Sequence, residues 1–331
     1  MTQTGTQNCY IIGDIGTNHN GDPQLAHYLV DIAARNGCDA VLIPWYTATS
    51  TEKPMSVPAN VPIYTPSEQV PRLPVEALSK IREICQGRLH FIGAPYDLNS
   101  LEDLQKLEPD GIQIDPPLLG HKPLLEALAK HDWPVFLSVG MCSEEDIVFA
   151  LKILNKHKVT LLHTVHALKT TVRSTALGLI PYLQQRFDIP IGYRGTEPGI
   201  TASIAAFALG ARTIEKPFTS DHHLSGQNHA ASLDREELRE LVSTLREMEE
   251  AIQIESHRVL LPVEVQDGAS PRASLVAARD LTEGTILDDS MLTVELASDG
   301  ISPRLIDNVL GRRLLYDVTT HTSITFGALD Q

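Results

Sequence analysis

Short apolar runs alternate with amphipathic segments along roughly the first 255 residues of the chain. The apolar runs lack a polar alternation, which is typical of strands buried on both faces of a parallel sheet. The amphipathic segments space their apolar residues three and four positions apart, which predicts helices. Eight strands are predicted, at 9–16, 38–44, 89–94, 111–115, 135–139, 159–165, 189–193 and 212–214.

Eight predicted helices follow these strands, one after each strand. They lie at 22–36, 74–86, 99–107, 122–131, 143–155, 174–186, 200–210 and 234–254. Eight such repeats in about 255 residues have the size of a closed (β/α)8 TIM barrel. An open doubly wound sheet is the alternative, but no GxGxxG motif follows the first strand to favour it.

The pattern changes after about residue 258, the predicted end of the barrel domain. Residues 259–272 contain two prolines without helical spacing, which indicates a linker. Residues 273–331 contain short alternating runs broken by glycine and proline, which predicts a small β-rich module. Within the barrel, 45–74 is a long Thr-, Pro- and Ser-rich loop, either functional or a passive insertion.

The composition favours a cytoplasmic protein that binds neither nucleic acid nor a membrane. Acidic residues exceed basic ones, 42 to 27, and the net charge of −15 is spread without long single-sign blocks. The four cysteines stand singly in apolar contexts, which predicts reduced thiols. The first residues lack a basic and apolar signal pattern, and no apolar run is long enough to span a membrane.

Polar residues follow two neighbouring predicted strands at the point where each strand ends. Arg194 ends the seventh strand, and Glu215 and Lys216 end the eighth. Parallel α/β proteins place their binding and catalytic groups at the carboxyl ends of strands. We therefore expect these side chains to share a site, the alternative being ordinary surface ion pairs.

Several segments resemble the sialic acid synthase family, which condenses phosphoenolpyruvate with an N-acyl mannosamine type of sugar. The likeness begins with IIGDIGTNHNGDPQLAHYLVDIAARNGCDAV and continues through APYDLNSLEDL, FLSVGM, IPIGY, IEKPFT and GQNHAASL. The final SPRASLVAARDLTEGTIL and GISP resemble the antifreeze-like (SAF) domain that closes these synthases. The resemblance covers nearly the whole chain and implies a (β/α)8 barrel followed by a SAF domain.

The chain departs from this family at positions that the resemblance assigns to phosphoenolpyruvate and to a divalent metal. Two lysines of the family are absent, one where 42–44 reads Leu-Ile-Pro and one replaced by Gln113. The two histidine ligands of the family are replaced by Thr196 and Pro217, neither of which is a strong metal ligand. We therefore expect that the family's metal is lost and that no cofactor is bound.

Other departures concern the sugar and the dimer. The resemblance places Asn228 where the family has an aspartate, and His166 and Leu168 where the sixth strand has asparagine and tyrosine. Leu296 replaces an arginine that the family's C-terminal domain sends into the barrel of a partner subunit. The resemblance therefore implies a domain-exchanged homodimer, with Leu296 near Asn228 and Arg194 of the opposite chain.

These considerations give a set of candidate site residues. Alternation along the sixth strand places His166 at the barrel mouth, where it is a candidate general acid or base beside Arg194, a candidate anion ligand. The candidate catalytic residues are His166, Glu215 and Asp14. The candidate substrate-binding residues are Arg194, Asn18, His19, Gln113, Ser138, Tyr193, Lys216, Asn228 and Leu296. Four loop histidines, His121, His222, His223 and His229, are either solvated or a new metal site.

Two classes of function follow. The first is a divergent, metal-independent enzyme of carbohydrate biosynthesis that joins a sugar-like or carbonyl substrate to a three-carbon acid such as phosphoenolpyruvate. It would take a small anionic or sugar-like substrate and would not be a standard N-acetylneuraminate synthase. The second is a non-catalytic paralogue that binds a sugar-like ligand or a true synthase subunit.

Overall fold

The computed structural model describes residues 8–46, 71–154, 158–167, 170–226, 228–252, 264 and 271–330. The predicted loop at 45–74 lies mostly outside these ranges, as does most of the predicted linker. The chain divides into two compact units, Met1–Gln253 and Ile254–Gln331. Each unit is described by itself.

The first unit is a closed barrel of eight parallel strands arranged in sequence order. The pairing of β1 with β8 closes the barrel, with Tyr10 opposite Thr213 and Ile12 opposite Glu215. The prediction of a closed barrel is therefore confirmed, and the open sheet is excluded. The strands are β1 Tyr10–Asp14, β2 Ala40–Trp45, β3 His90–Pro95, β4 Gly111–Ile114, β5 Val135–Ser138, β6 Val159–His163, β7 Ile191–Arg194 and β8 Thr213–Pro217.

Helices connect the strands and surround the barrel, most of them with side-chain caps at their first turns. Asp22 accepts a hydrogen bond from the backbone of Gln24 at the start of the first helix, and Asp234 forms a capping box with Glu237 at the start of the last. The helices are α1 Pro23–Arg35, α2 Val75–Cys85, α3 Leu98–Gln105, α4 Lys122–Leu128, α5 Glu144–Ile153, α6 Leu179–Phe187, α7 Thr201–Ala208 and α8 Arg235–Ala251.

The strands carry two different faces. Their outward residues pack with the helices in one large apolar cluster, in which Ile112, Ile114 and Ile214 are completely buried. Their inward residues form a smaller cluster that fills the barrel: Ile12, Ala40, Leu42, Ile92, Ala94, Phe136 and Leu162. Successive residues of a strand point to opposite faces, so the next inward positions of these strands form the floor of the barrel mouth.

The second unit is a small β-rich module with its own apolar core. Its strands β9 Arg272–Ala277 and β10 Leu292–Ala297 pair antiparallel. Leu275, Leu287 and Ile324 are buried in its core, whereas Leu296 on β10 is 73% exposed. The predicted β-rich module is therefore confirmed.

Two further features of the described residues are the state of the cysteines and the character of the helices. All four cysteines are free thiols, and Cys9, Cys38 and Cys85 are buried. Burial raises the pKa of each of these three thiols to about 12, so they are protonated near neutral pH. Among the described helices, none has both the length and the apolar character needed to cross a membrane.

Candidate active site at the barrel mouth

The inward positions at the carboxyl ends of the strands divide the mouth into an apolar and a polar half. Strands β2 and β3 contribute the apolar half, with Leu42, Pro44 and Ala94. The strands from β4 round to β1 contribute the polar half. Its inward side chains are Gln113, Asp115, Ser138, Thr164, His166, Arg194, Glu215 and Asp14.

A buried ion network surrounds Arg194 in the polar half. The Nε atom of Arg194 lies 2.8 Å from Glu215 Oε1 in an ion pair, and Nη1 donates to Asp115 Oδ1 at 2.5 Å. Its Nη2 atom lies 3.5 Å from Asp14 Oδ2. All four side chains are at most 11% exposed, so these are not ordinary surface ion pairs.

Asp115 is a site residue that the sequence analysis did not single out. It follows β4 two positions after Gln113, and the same alternation that points Gln113 inward also applies to Asp115. Gln113 Nε2 joins the network by donating to Glu215 Oε1 at 3.2 Å and to Asp115 Oδ1 at 3.4 Å. The strand spacing was therefore a signal that could have identified this carboxylate.

Glu215 lies beneath Arg194 and has no exposed surface. Burial raises the pKa of Glu215 to about 8, and this rise is opposed by the charge of Arg194. Its Oε2 atom has no hydrogen-bond partner among the described residues. The structure thus gives Glu215 the position of a residue that orients Arg194, below the surface that a substrate could contact.

The carboxyl group of Asp14 faces the mouth beside Arg194. Burial raises its pKa, while Arg194 opposes the rise and Asp115 adds to it. The backbone N–H of Gly16 donates to Asp14 Oδ1 at 2.7 Å and fixes the carboxyl group. A raised pKa makes Asp14 a candidate proton donor.

A pocket lies above this network. Its polar walls include five of the predicted site residues together with Asp115. These five are Asp14, Asn18, His166, Arg194 and Asn228. Burial lowers the pKa of His166, with Asp115 opposing, so the imidazole is neutral near pH 7 and able to accept a proton.

The two asparagines of the pocket are held by hydrogen bonds. Asn18 Nδ2 donates at 2.8 Å both to Phe218 O and to Ser232 Oγ. Asn228 Nδ2 donates to Thr17 Oγ1 at 3.1 Å. The Oδ1 atom of Asn18 has no partner among the described residues, although the side chain is 2% exposed. This carbonyl oxygen is therefore a buried acceptor without a partner in the described part of the chain.

Other predicted residues, among them Gln113, Ser138 and His19, do not line this pocket. Gln113 and Ser138 are completely buried at the level of the floor, and Ser138 Oγ has no partner within the described part of the chain. His19 lines a smaller pocket with Tyr46 and Arg72, and burial lowers its pKa to about 4. Leu296 belongs to the second unit, so its predicted place near a barrel mouth stays a prediction.

Tyr193 and Lys216 were predicted to bind substrate, but the structure places both on the outer face of the barrel wall. Tyr193 packs in the cluster between strands and helices, and its hydroxyl donates to Glu197 Oε2 at 2.7 Å. Lys216 Nζ donates to Glu197 Oε1 at 2.9 Å, and neither residue is exposed by more than 1%. Because Arg194 and Glu215 point inward, their direct neighbours in sequence point outward.

The residues at the family's metal positions do not fit a divalent ion. Thr196 Oγ1 lies 2.9 Å from Thr170 Oγ1 and 3.3 Å from Val165 O, and Pro217 has no side-chain donor atom. Both residues line the pocket. Two neutral groups of this kind do not provide the nitrogen or carboxylate ligands that such ions require.

The four loop histidines make separate contacts. His121 caps α4, the side chain of His223 is 94% exposed, and His229 Nδ1 lies 2.6 Å from Thr219 Oγ1. His222 lies 3.5 Å from Asp234 and 3.3 Å from Glu237, the only group of potential metal ligands among the described residues. Those two carboxylates already cap α8, so this group is explained by helix capping.

The raised pKa of Glu215 predicts a pH-dependent stability. Because its folded-state pKa of about 8 exceeds the ordinary value of about 4.3, the folded protein binds the proton more tightly than the unfolded chain. As the pH rises from about 4.3 to about 8, the free energy of unfolding should therefore fall, by at most about 1.4 kcal/mol per pH unit. In urea unfolding across this range, the free energy of unfolding should depend less on pH in Glu215→Gln than in the wild type. Glu83→Gln, on the surface of α2, is the matched control, and parallel profiles for wild type and Glu215→Gln would contradict the assignment.

Comparison with known proteins agrees with the fold, and several of the relatives found are sugar-acid synthases. It is 31% identical over 312 residues to an uncharacterised protein of Methanocaldococcus jannaschii, with 93% of this chain and 90% of the other covered. It is 30% identical to the N,N'-diacetyllegionaminic acid synthase of Campylobacter jejuni, covering 91% and 94% of the two chains. It is also 30% identical to human N-acetylneuraminate-9-phosphate synthase, covering 97% and 92%.

A solved structure of similar fold is the N-acetylneuraminic acid synthetase of Leptospira borgpetersenii in complex with citrate. The TM-score is 0.70 at 25% identity, with 80% of this chain and 91% of that chain covered. The sequence matches the NeuB family over residues 29–256 and the SAF domain over residues 272–330. This chain therefore belongs to the NeuB family, with a C-terminal SAF domain.

Proposed function

We propose that this protein is a divergent enzyme of sugar-acid metabolism that joins a sugar-like or carbonyl substrate to a three-carbon acid such as phosphoenolpyruvate. The observation that carries the proposal is the buried Arg194 network with Asp14 and His166 at the wall of the same pocket. The reaction needs no divalent metal, because Thr196 and Pro217 replace the metal ligands expected from the family resemblance. The protein is not a standard N-acetylneuraminate synthase.

The two pocket-facing titratable groups have opposite tendencies, which suits acid–base chemistry. Burial raises the pKa of Asp14 and lowers the pKa of His166, so near neutral pH Asp14 tends to hold a proton and His166 to lack one. A site with such a pair can donate a proton at one atom and accept one at another. In this proposal the double-bond electrons of phosphoenolpyruvate form the new bond to the carbonyl carbon while Asp14 protonates the carbonyl oxygen. Water then adds to the cationic carbon that is left, His166 accepts the proton of that water, and phosphate leaves from the same carbon to give the 2-oxo acid.

Arg194 binds the carboxylate of the three-carbon acid in this proposal. Its contact to Asp14, at 3.5 Å, is the longest of the three ion-pair distances. An incoming carboxylate replaces Asp14 at Nη2, while Asp115 and Glu215 keep the guanidinium oriented. The structure of the Leptospira synthetase is a complex with citrate, which shows that a protein of similar fold binds a carboxylate-bearing molecule.

The proposal predicts metal-independent turnover that requires His166. With the full-length protein and a panel of sugars and three-carbon acids, product formation measured by mass spectrometry should persist in EDTA. His166→Asn should lower kcat by about 10²- to 10⁴-fold, the usual contribution of general acid–base catalysis. His131→Asn, at a half-buried histidine stacked on Trp133, is the matched control. With N-acetylmannosamine and phosphoenolpyruvate, turnover should stay below about 1 s⁻¹, an ordinary enzyme rate. Loss of all turnover in EDTA, or its full retention in His166→Asn, would contradict the proposal.

A second candidate is a non-catalytic paralogue that binds a sugar-like ligand or a true synthase subunit. Thr196 and Pro217 stand at both metal-ligand positions expected from the family resemblance. This favours the non-catalytic candidate, since the chemistry expected of the metal is then lost. Binding of a sugar without turnover on the whole panel would support this candidate. The domain-exchanged homodimer with Leu296 at the opposite mouth stays a prediction under either candidate.

A further inference from the structure

The segment that carries His166 lies beyond the end of a strand. Strand β6 ends at His163, and residues 164–167 belong to neither a helix nor a strand. His166 therefore lacks the sheet hydrogen bonds that hold Asp14 and Arg194, the last residues of β1 and β7. A general base must lie within reach of the proton that it accepts. The position of His166 thus depends on contacts between loops.

Thr196 contacts this segment on both sides of His166. Its Oγ1 atom donates to Thr170 Oγ1 at 2.9 Å and lies 3.3 Å from the carbonyl O of Val165. Val165 directly precedes His166, whereas Thr170 follows it and is 6% exposed. One hydroxyl in the loop between β7 and α7 therefore fastens both flanks of His166.

Thr196 is itself held between two fixed neighbours. The backbone N–H of Gly195 donates to the carbonyl O of Glu215 at 3.0 Å. Glu197 is completely buried, and its carboxylate accepts from Lys216 Nζ at 2.9 Å. A hydroxyl on so constrained a backbone loses little conformational freedom when it forms hydrogen bonds, so it can fix a neighbouring loop.

A glycine on the other side allows the same segment to come close. A Cβ atom at Gly140 would lie 2.9 Å from Thr164 Cγ2, 3.0 Å from Thr164 O and 3.2 Å from His166 Cβ. Carbon atoms prefer a separation of about 3.5–4.0 Å, so a side chain at this position would push the segment away. His166 is therefore confined between the backbone of Gly140 and the link made by Thr196.

We propose that Thr196 is a positioning residue for His166: its hydroxyl links the loops that follow β6 and β7 and holds the imidazole at the pocket wall. The inference rests on the proposed function, in which His166 is the general base. The family resemblance assigns the place of Thr196 to a metal-binding histidine. Here the residue at that place binds a neighbouring loop of its own chain.

Turnover of the full-length protein tests both ends of this link, with phosphoenolpyruvate and the sugar of the panel that reacts fastest. Thr196→Val and Thr170→Val should each lower kcat about 3- to 10-fold, the effect expected for one neutral hydrogen bond, and change KM by less than about twofold. Thr170 is not among the described residues that line the pocket, so Thr170→Val leaves the pocket wall unchanged.

Three further variants show whether the effect passes through the link and through His166. The double variant Thr196→Val/Thr170→Val should be about as active as either single variant, because both changes break the same link. Thr196→Ser keeps the hydroxyl and should restore kcat. In the His166→Asn background, Thr196→Val should change kcat by less than about twofold, because the residue that the link positions is absent.

The matched control is Thr319→Val, which breaks an exposed hydroxyl pair of the same 2.9 Å length in the second unit and should leave kcat unchanged. Additive losses in the double variant or unchanged kcat in Thr170→Val would overturn the inference. No recovery in Thr196→Ser, or an undiminished loss in the His166→Asn background, would also overturn it.

Nuclear magnetic resonance separates this inference from the proposed function, because it needs no turnover. The ring C–H signals of His166, identified by their absence in His166→Asn, should move in both valine variants and return in Thr196→Ser. If no substrate is turned over, the proposed function fails, and these signals alone decide whether Thr196 positions the imidazole. If turnover is found and the His166 signals are the same in all variants, the enzyme proposal stands and the inference is overturned.

Discussion

Replacing Lys216 by methionine is expected to lower the free energy of unfolding by about 3–5 kcal/mol. Lys216 and Glu197 form an ion pair with a 2.9 Å separation and at most 1% exposure, behind the barrel wall. Removing the ammonium leaves the Glu197 carboxylate buried without its cation, because the hydroxyl of Tyr193 is then its only side-chain donor among the described residues. Urea unfolding near neutral pH measures this loss.

Two control variants make the result specific. Lys80→Met removes an exposed lysine from its pair with Glu83 on α2 and should change the stability by less than about 1 kcal/mol. The double variant Lys216→Met/Glu197→Gln removes the buried charge and keeps an acceptor for Tyr193, so it should be more stable than Lys216→Met alone. A loss below about 1 kcal/mol in Lys216→Met would show that the pair is not buried as described.

Replacing Arg194 by methionine is expected to destabilise the protein by about 3–5 kcal/mol at about pH 8, and by less at about pH 5. Without the guanidinium, Asp14, Asp115 and Glu215 lose their shared cation inside the mouth. The pKa values of Asp14 and Glu215, which burial already raises, should rise further. The penalty is therefore present above these folded-state pKa values and diminishes as falling pH protonates the carboxyl groups.

The control for this prediction is Arg186→Met, which removes a half-exposed arginine from its pair with Glu144 on α5. Its effect should be below about 1 kcal/mol at both pH values. Arg194→Lys keeps a charge but not the three-way geometry of the guanidinium, so its stability should lie between wild type and Arg194→Met. Equal destabilisation of Arg194→Met at both pH values would contradict the ion network.

The barrel could be predicted from the sequence because strands buried on both faces appear as continuous apolar runs. Ile11 to Asp14 and Ile112 to Ile114 are examples in which nearly every residue is buried. Helix starts were also predictable, as Asp22 shows by capping the first one. The SAF module was predictable through its short alternating runs and its family motifs.

The site was only partly predictable, because each residue's face depends on strand register. Alternation correctly placed His166 at the mouth, but Tyr193 on β7 and Lys216 on β8 were predicted there without regard to the face on which they lie. Arg194 and Glu215 point inward there, whereas Lys216 points outward. Strand spacing could have placed Asp115 at the mouth, but its contact with Arg194, 79 positions away in sequence, leaves no local pattern.

The closing pair of the barrel has a consequence for the order of folding. Strand β1 pairs with β8 across some 200 residues of chain, so Asp14 has no neighbour on that side until β8 has been synthesised. Contacts of such long range form slowly, because the intervening loop must first be closed. Asp14 and Arg194 therefore meet only at barrel closure. Acquisition of a ligand-competent mouth should coincide with the final step of folding, and a chain truncated before residue 213 would have no site.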